Sequence, residues 1–338
     1  SKDGIIVSTD HNPSNTTISY GSYGDLEFTA CWAKLNVTSI NKVYNGSAHT
    51  ASASVTGAQG YTISYSTDNG QTWTQTKPAL TDVGELTFKV KAEKQGWRTL
   101  EGEGQIVVTK RPITVTADTK DDFVYDGTEK SVGYSITAGT LADGQKEKVT
   151  LEGNKRTEVG GNNVIVKEVK IFAGEELDQD VTANYDIDTV QGHINITNNT
   201  TDLKFVEADT KGYNGVYDGK AHPGVASVKV TGVGGAEIAA EDMTVKYRLS
   251  DEDEWSSKMP QVTDVADTTP VQIQVTVANY EPITTTVQAV VTARPITVTA
   301  ETKDDFVYDG TEKSVSYSIT AGTLADGQKE KVTLEGNK

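Results

Sequence analysis

Apolar and polar residues alternate along most of this chain. Ile113-Thr114-Val115-Thr116-Ala117, Leu86-Thr87-Phe88-Lys89-Val90-Lys91-Ala92 and Val271-Gln272-Ile273-Gln274-Val275-Thr276-Val277 keep a period of two, which sends one side of an extended backbone into a core and the other into water. Threonine fills many outward positions, where its branched Cβ suits a strand. Helical periodicity is scarce, and only 140–144 and 174–179 have the composition for a turn of helix. Asp68-Asn69-Gly70-Gln71 lies between two strand-like runs. Asn-Gly there predicts a tight hairpin, because both central residues must take positive φ. The pattern predicts an all-β chain of small antiparallel β-sandwich modules, Ig-like, with a β-grasp-like sheet and one short helix as the alternative for one module type.

Self-comparison sharpens that picture. Residues 111–155 recur as 294–338, at an offset of 183, with Glu301 standing for Asp118 and Ser316 for Gly133 as the only changes. Inside this long period lies a shorter one, marked by Tyr44-Asn45-Gly46, Tyr125-Asp126-Gly127, Tyr217-Asp218-Gly219 and Tyr308-Asp309-Gly310. A second marker follows the first three at Thr81-Asp82-Val83-Gly84, Thr157-Glu158-Val159-Gly160 and Thr263-Asp264-Val265-Ala266. A third joins Gly or Asn to an aromatic ring at Gly96-Trp97, Asn184-Tyr185 and Asn279-Tyr280. The first and third segments share His49 with His222, Tyr65 with Tyr247 and Trp73 with Trp255, which the second lacks.

Two module types therefore alternate. Type B covers 36–110 and 199–293; type A covers 111–198 and, cut short, 294–338; residues 1–35 read as the end of a preceding β repeat. Forty-five residues, the length of 294–338, are too few for an ordinary core, so this half module is expected to be completed by further chain or to stay poorly ordered. Type B passes into type A through Lys110-Arg111-Pro112 and Ala293-Arg294-Pro295 with no flexible spacer, which predicts a semi-rigid, elongated rod.

The Tyr-[Asn/Asp]-Gly turn, the Arg-Pro-Ile-Thr-Val-Thr-Ala strand and the closing Asp180-Val181-Thr182-Ala183-Asn184-Tyr185-Asp186-Ile187 with Gly192-His193-Ile194-Asn195-Ile196-Thr197 resemble MBG/YDG-type repeats of bacterial cell-surface, adhesin-like proteins. The likeness spans most of 36–338. Type B, through Tyr65-Ser66-Thr67-Asp68-Asn69-Gly70-Gln71-Thr72-Trp73, also resembles bacterial Ig-like repeats, and 18–33 resembles the end of an internalin-type B-repeat. The resemblance implies an extracellular setting at the cell wall and supplies no catalytic residues.

Charge and chemistry narrow the function further. Lys and Arg number 31 against 48 Asp and Glu, a net charge of −17, which argues against nucleic acid and against anionic membrane surfaces. One cysteine, Cys31, excludes an internal disulfide framework, and no apolar run approaches the ~18 residues that cross a bilayer. The four histidines are dispersed, and no HExxH, GxSxG, P-loop or CxxC pattern occurs. Asp121 and Asp122 are adjacent and point to opposite faces of a strand. Acidic clusters at 118–126, 175–180 and 251–254 lack EF-hand spacing; they read as solvated surface charge, with calcium at a junction as the alternative and no other cofactor. Trp73 and Trp255 share one repeat position and are the candidate ligand contacts, against a reading as repeated core rings. Tyr44, Gly46, Tyr125, Gly127, Tyr217, Gly219, Tyr308 and Gly310 are structural repeat markers.

These observations lead to a non-enzymatic, monomeric stalk segment that projects a binding domain from a bacterial cell. The alternative is that the repeats themselves bind a host glycan or surface protein, with repetition supplying avidity. Lys–Asn isopeptide cross-links are a further possibility that composition alone does not decide.

Overall fold

The computed structural model describes residues 32–336 apart from 175 and 177. The B-repeat remnant up to Cys31, with His11, lies outside the described residues, as do two positions of the 175–180 acidic cluster. Strands dominate the described residues, whose only helical pieces are the 3-10 turns Thr182–Asn184, Val233–Gly235 and Ala240–Asp242. The stretch 140–144 is a loop and turn, without helix. The chain divides into two compact units: one gathers the residues up to Lys120 with Ser131–Asn154 and Asn162–Ile194, the other Asp121–Lys130, Lys155–Gly161 and the residues from Asn195 on.

In the first unit, a four-stranded sheet runs in the order Ile40–Val43, Leu100–Thr109, Gly84–Glu93, Thr62–Ser66. Alternation does what it predicts: Phe88, Val90 and Ala92 turn inward from one strand, Ile106 and Val108 from its neighbour, and all five are buried. Each large apolar side chain so enclosed contributes roughly 1.5–3 kcal/mol relative to exposure. Short pairs, Lys34–Thr38 with Ser52–Thr56 and His49–Thr50 with Ala79–Leu80, accompany this sheet. The hairpin after Ser66 has Asn69 at φ 61° and Gly70 at φ 93°. Its Asp68 carboxylate accepts from the Ser66 hydroxyl (2.6 Å) and the Thr72 amide (2.9 Å). Those bonds, the Ser66 and Thr72 hydroxyls foremost, hold its pKa well below the usual carboxylate range. The same unit contains Arg111–Ala117, flanked by Tyr134–Ala138 and Tyr185–Val190, and Lys146–Glu152 paired antiparallel with residues 165–172 of the strand Gly160–Ala173.

In the second unit, Asn214–Val216, Ile283–Thr292, Ala266–Val277 and Met243–Arg248 form a sheet in the same order as the first. Val271, Ile273 and Val275 supply its core from alternate positions. An isolated bridge joins Tyr247 to Ser256, as Tyr65 is joined to Thr74 in the first unit, so the shared type B sequence reproduces itself in detail.

Each of these sheets has a parallel pairing at one edge. Ile40–Val43 lies parallel to Leu100–Thr109, Asn214–Val216 parallel to Ile283–Thr292, and Tyr185–Val190 parallel to Arg111–Ala117. Alternation reports which face of a strand is buried and is silent on strand direction, so this departure from a purely antiparallel sandwich has no signature in the sequence.

Residues 294–338 include the pair Thr297–Ala300 with Tyr317–Ala321 and leave Val307 and Tyr308 78% and 94% exposed. Two strands cannot enclose an apolar face by themselves. The two positions at which this copy differs from 111–155 face each other: Ser316 Oγ donates to Glu301 Oε2 at 2.5 Å, whereas Gly133 lies beside Asp118. The changes are thus a matched pair across two strands, each retaining the backbone bond from residue 118 or 301 to 133 or 316.

Candidate functional site

The repeat markers of one segment meet those of the next at Tyr44 with Tyr185 and at Tyr125 with Tyr280. Each Tyr-x-Gly motif is a turn in which the Asn or Asp side chain accepts the amide two residues on: Ser47 to Asn45 (3.0 Å), and Thr128 to Asp126, Lys220 to Asp218 and Thr311 to Asp309 (2.9 Å each). The following glycine sits at φ 76–79° in all four, a conformation that disfavours any side chain. These bonds, with Lys130 beside Asp126 and Lys313 beside Asp309, hold both carboxyls below their ordinary value, Asp309 at about 2.

In the first unit the turn positions Tyr44 for docking. Tyr44 and Tyr185 are both buried and meet edge to face, with ring centroids 5.6 Å apart. Gln145 bridges them: its Nε2 donates to the Tyr44 hydroxyl (2.8 Å), while its Oε1 accepts from the Tyr185 hydroxyl (2.6 Å). The Ala142 amide donates to the Tyr185 oxygen (2.8 Å), completing the network around two rings. Burial raises the Tyr185 pKa. Arg111, at the segment boundary, donates Nη1 to the Tyr44 carbonyl (3.3 Å) and Nε and Nη2 to Thr140 (2.5 and 2.6 Å).

The second and third markers make a separate clamp. Asn184 accepts the Val83 amide at Oδ1 and donates Nδ2 to Asp82, both at 2.8 Å. The 3-10 turn Thr182–Asn184 presents it, anchored by Thr182 oxygen and nitrogen bonds to Ile171 and Asp180. An open cleft of about 300 Å³ beside the clamp is lined by Asp82, Val83, Asp180, Val181, Ala183 and Asn184. The Thr182 hydroxyl and amide lower the Asp180 pKa.

The second unit repeats both devices. Tyr125 meets Tyr280 at 5.4 Å, nearly perpendicular. The Val233 amide donates to the Tyr280 hydroxyl (3.0 Å), as Ala142 does to Tyr185. Asn199 Nδ2 donates to the Tyr125 carbonyl (2.8 Å), the role of Arg111 at Tyr44. Asn279 accepts the Val159 amide (2.9 Å) and donates to Glu158. The start of the next boundary is present too. Gln328 donates to the Tyr217 hydroxyl (2.7 Å), Arg294 to the Tyr217 carbonyl (3.4 Å) and to Thr323, and a Cβ on Gly219 would lie 3.5 Å from the Ala325 Cβ. Gly46 has the same 3.5 Å relation to Ala142.

Trp73 and Trp255 stand apart from these boundaries. Both are half-buried. The Trp73 indole donates to the Gly70 carbonyl (3.1 Å), and Lys91 Nζ lies 4.9 Å from its ring centroid; Arg248 Cζ lies 4.5 Å from the Trp255 ring. One face of each ring is therefore occupied by a cation of its own sheet. Among the described residues, no three His, Cys, Asp or Glu side chains gather to hold a metal ion, and no helix is long and apolar enough to cross a membrane.

The shared histidine position divides the two type B segments. His222 Nε2 pairs with Asp218 Oδ1 at 2.8 Å and stacks on Tyr213, whereas His49 Nε2 is buried without a partner in the segment that has Asn45 at the aspartate's position. Asn45→Asp is expected to restore the bond and stabilise the segment by about 0.5–1.5 kcal/mol. Urea unfolding of the two chains measures it, and an unchanged or lower midpoint counts against the pairing.

No family model matches the chain, and no curated protein does. Solved structures similar to it include three immunoglobulin domains of titin (TM-score 0.31, 10% identity, 78% of this chain and 98% of that one) and extracellular cadherin domains 3–6 of protocadherin gamma B2 (0.32, 9%, 85% and 83%). An ectodomain fragment of ICAM-5 is similar at TM-score 0.30 and 12% identity, over 85% of this chain and 83% of the fragment.

Proposed function

We propose that the chain is a repetitive stalk segment of a bacterial cell-surface, adhesin-like protein, built from MBG/YDG-type and Ig-like modules at 36–110, 111–198, 199–293 and 294–338. It carries a binding domain away from the cell wall and catalyses nothing. The observation that supports this most is the recurrence of one docking chemistry: an edge-on tyrosine pair plus an asparagine clamp on a Thr-[Asp/Glu]-Val turn, at Tyr44/Asn184 and again at Tyr125/Asn279. A repeat that spends its marker residues on its neighbour is suited to serial stacking. Single asparagines and tyrosine pairs give each boundary a fixed geometry in place of a flexible hinge.

Small-angle scattering of the monomeric chain is expected to give an elongated particle, and a compact profile would remove the stalk reading. A panel of host glycans and surface proteins is expected to retain nothing. Retention of a glycan that quenches Trp73 or Trp255 emission would replace the stalk with multivalent binding. Melting is expected to ignore chelator; a lowered midpoint would bring calcium back.

A further inference from the structure

Thr263-Asp264-Val265 occupies the repeat position of Thr81-Asp82-Val83 and Thr157-Glu158-Val159. In those two, the valine amide donates to an asparagine carboxamide at 2.8 and 2.9 Å while the acid accepts from the same side chain. Val83 and Val159 are half-buried, whereas Val265 is 49% exposed; the acid before it is exposed in all three. The rest of that boundary stands assembled. Tyr217, Gln328, Arg294 and Ala325 reproduce the relations of Tyr44, Gln145, Arg111 and Ala142. What Tyr44 has, and Tyr217 lacks among the described residues, is a partner ring on an Asn-Tyr turn, which the complete copy supplies from the stretch 156–198.

We propose that Tyr217, Asp264 and Val265 form a receptor face for an Asn-Tyr turn supplied by a repeat of residues 156–198 placed after Lys338. The incoming asparagine accepts the Val265 amide and donates to the Asp264 carboxylate. The tyrosine that follows it sets its ring edge-on to Tyr217, with its hydroxyl shared between the Gln328 side chain and the Ala325 amide. The inference deepens the stalk reading and rests on its serial docking. Recognition is side chain to backbone at one point and ring to ring at another, so a strand with Asn but no ring, or a ring but no Asn, engages half of it.

The test compares hydrogen exchange at the Val265 amide in the 338-residue chain and in the same chain extended by residues 156–198. Exchange in the extended chain is expected to slow at least ~10-fold, toward the rate of Val83. Changing the appended copy of Asn184 to alanine returns Val265 to the unextended rate while the appended strands keep their own protection. In the unextended chain, Asn184→Ala speeds Val83. Equal Val265 rates with and without the extension overturn the inference, including where the appended residues fail to fold on this face. So does a Val265 or Val83 rate that ignores the asparagine. Scattering separates the two readings: an extension that protects Val265 in a compact particle leaves the receptor face standing and removes the stalk.

Discussion

Tyr44→Ala is expected to destabilise the first unit by about 3–5 kcal/mol, the cost of deleting a buried aromatic ring, whereas Tyr308→Ala in the same motif changes stability by less than about 0.5 kcal/mol. Tyr44 is 2% exposed and Tyr308 94% exposed, although both follow a strand-like run and precede an identical left-handed glycine turn. The turn glycine is thus held constant, whereas the packing around the tyrosine differs. Tyr44→Ala removes the ring against Tyr185 and strands Gln145 Nε2, which donated to the lost hydroxyl. Tyr44→Phe keeps the ring and is expected to cost about 0.5–1.5 kcal/mol. Urea unfolding of the three variants reads these differences directly. Equal losses at Tyr44 and Tyr308 would mean that the tyrosine acts inside its own turn, and the boundary assignment would fail.

Much of the strand content was legible because alternation is a local signal. Leu86 to Ala92 and Val271 to Val277 bury the residues their period selects, and Asn69-Gly70 takes the two positive φ values that its hairpin requires. The repeat markers were legible as positions and opaque as partners. Asn184 and Val83 are separated by 101 residues, Asn279 and Val159 by 120, and nothing in the spacing of a single sequence pairs them. The tyrosines read as structural from their recurrence alone; in the first unit Tyr44 packs against Tyr185, 141 positions away in a different repeat, which recurrence does not reveal. Trp73 and Trp255 were singled out by recurrence alone. Their cationic partners, Lys91 and Arg248, sit on strands whose outward residues carry no mark of that role.

Asn184→Ala is expected to cost about 2–3 kcal/mol, because the Val83 amide then loses its acceptor in a partly buried site and Asp82 loses a donor. Asn184→Asp separates geometry from charge. The carboxylate still accepts from Val83, but its second oxygen replaces the Nδ2 that lay 2.8 Å from Asp82, so two like charges face each other. That repulsion raises the pKa of the pair in the folded state. Protons are then bound more tightly folded than unfolded, and the variant gains stability as pH falls through the raised pKa toward the unfolded carboxylate value near 4. The alanine variant has no such proton to take up, and its deficit relative to the parent chain stays level over the same interval. Urea midpoints of parent, alanine and aspartate chains between pH 7 and pH 4.5 distinguish the cases. An aspartate variant that tracks the alanine one would show that Asp82 and residue 184 do not face each other, and the clamp would reduce to its single bond from Val83. Coupling in a double-mutant cycle with Asp82→Ala is expected to change sign between the two substitutions at 184, favourable for asparagine and unfavourable for ionised aspartate. A boundary held by a neutral amide against one acid keeps its strength across the pH range in which an acid–acid contact would loosen, and Asn279 on Glu158 repeats that choice.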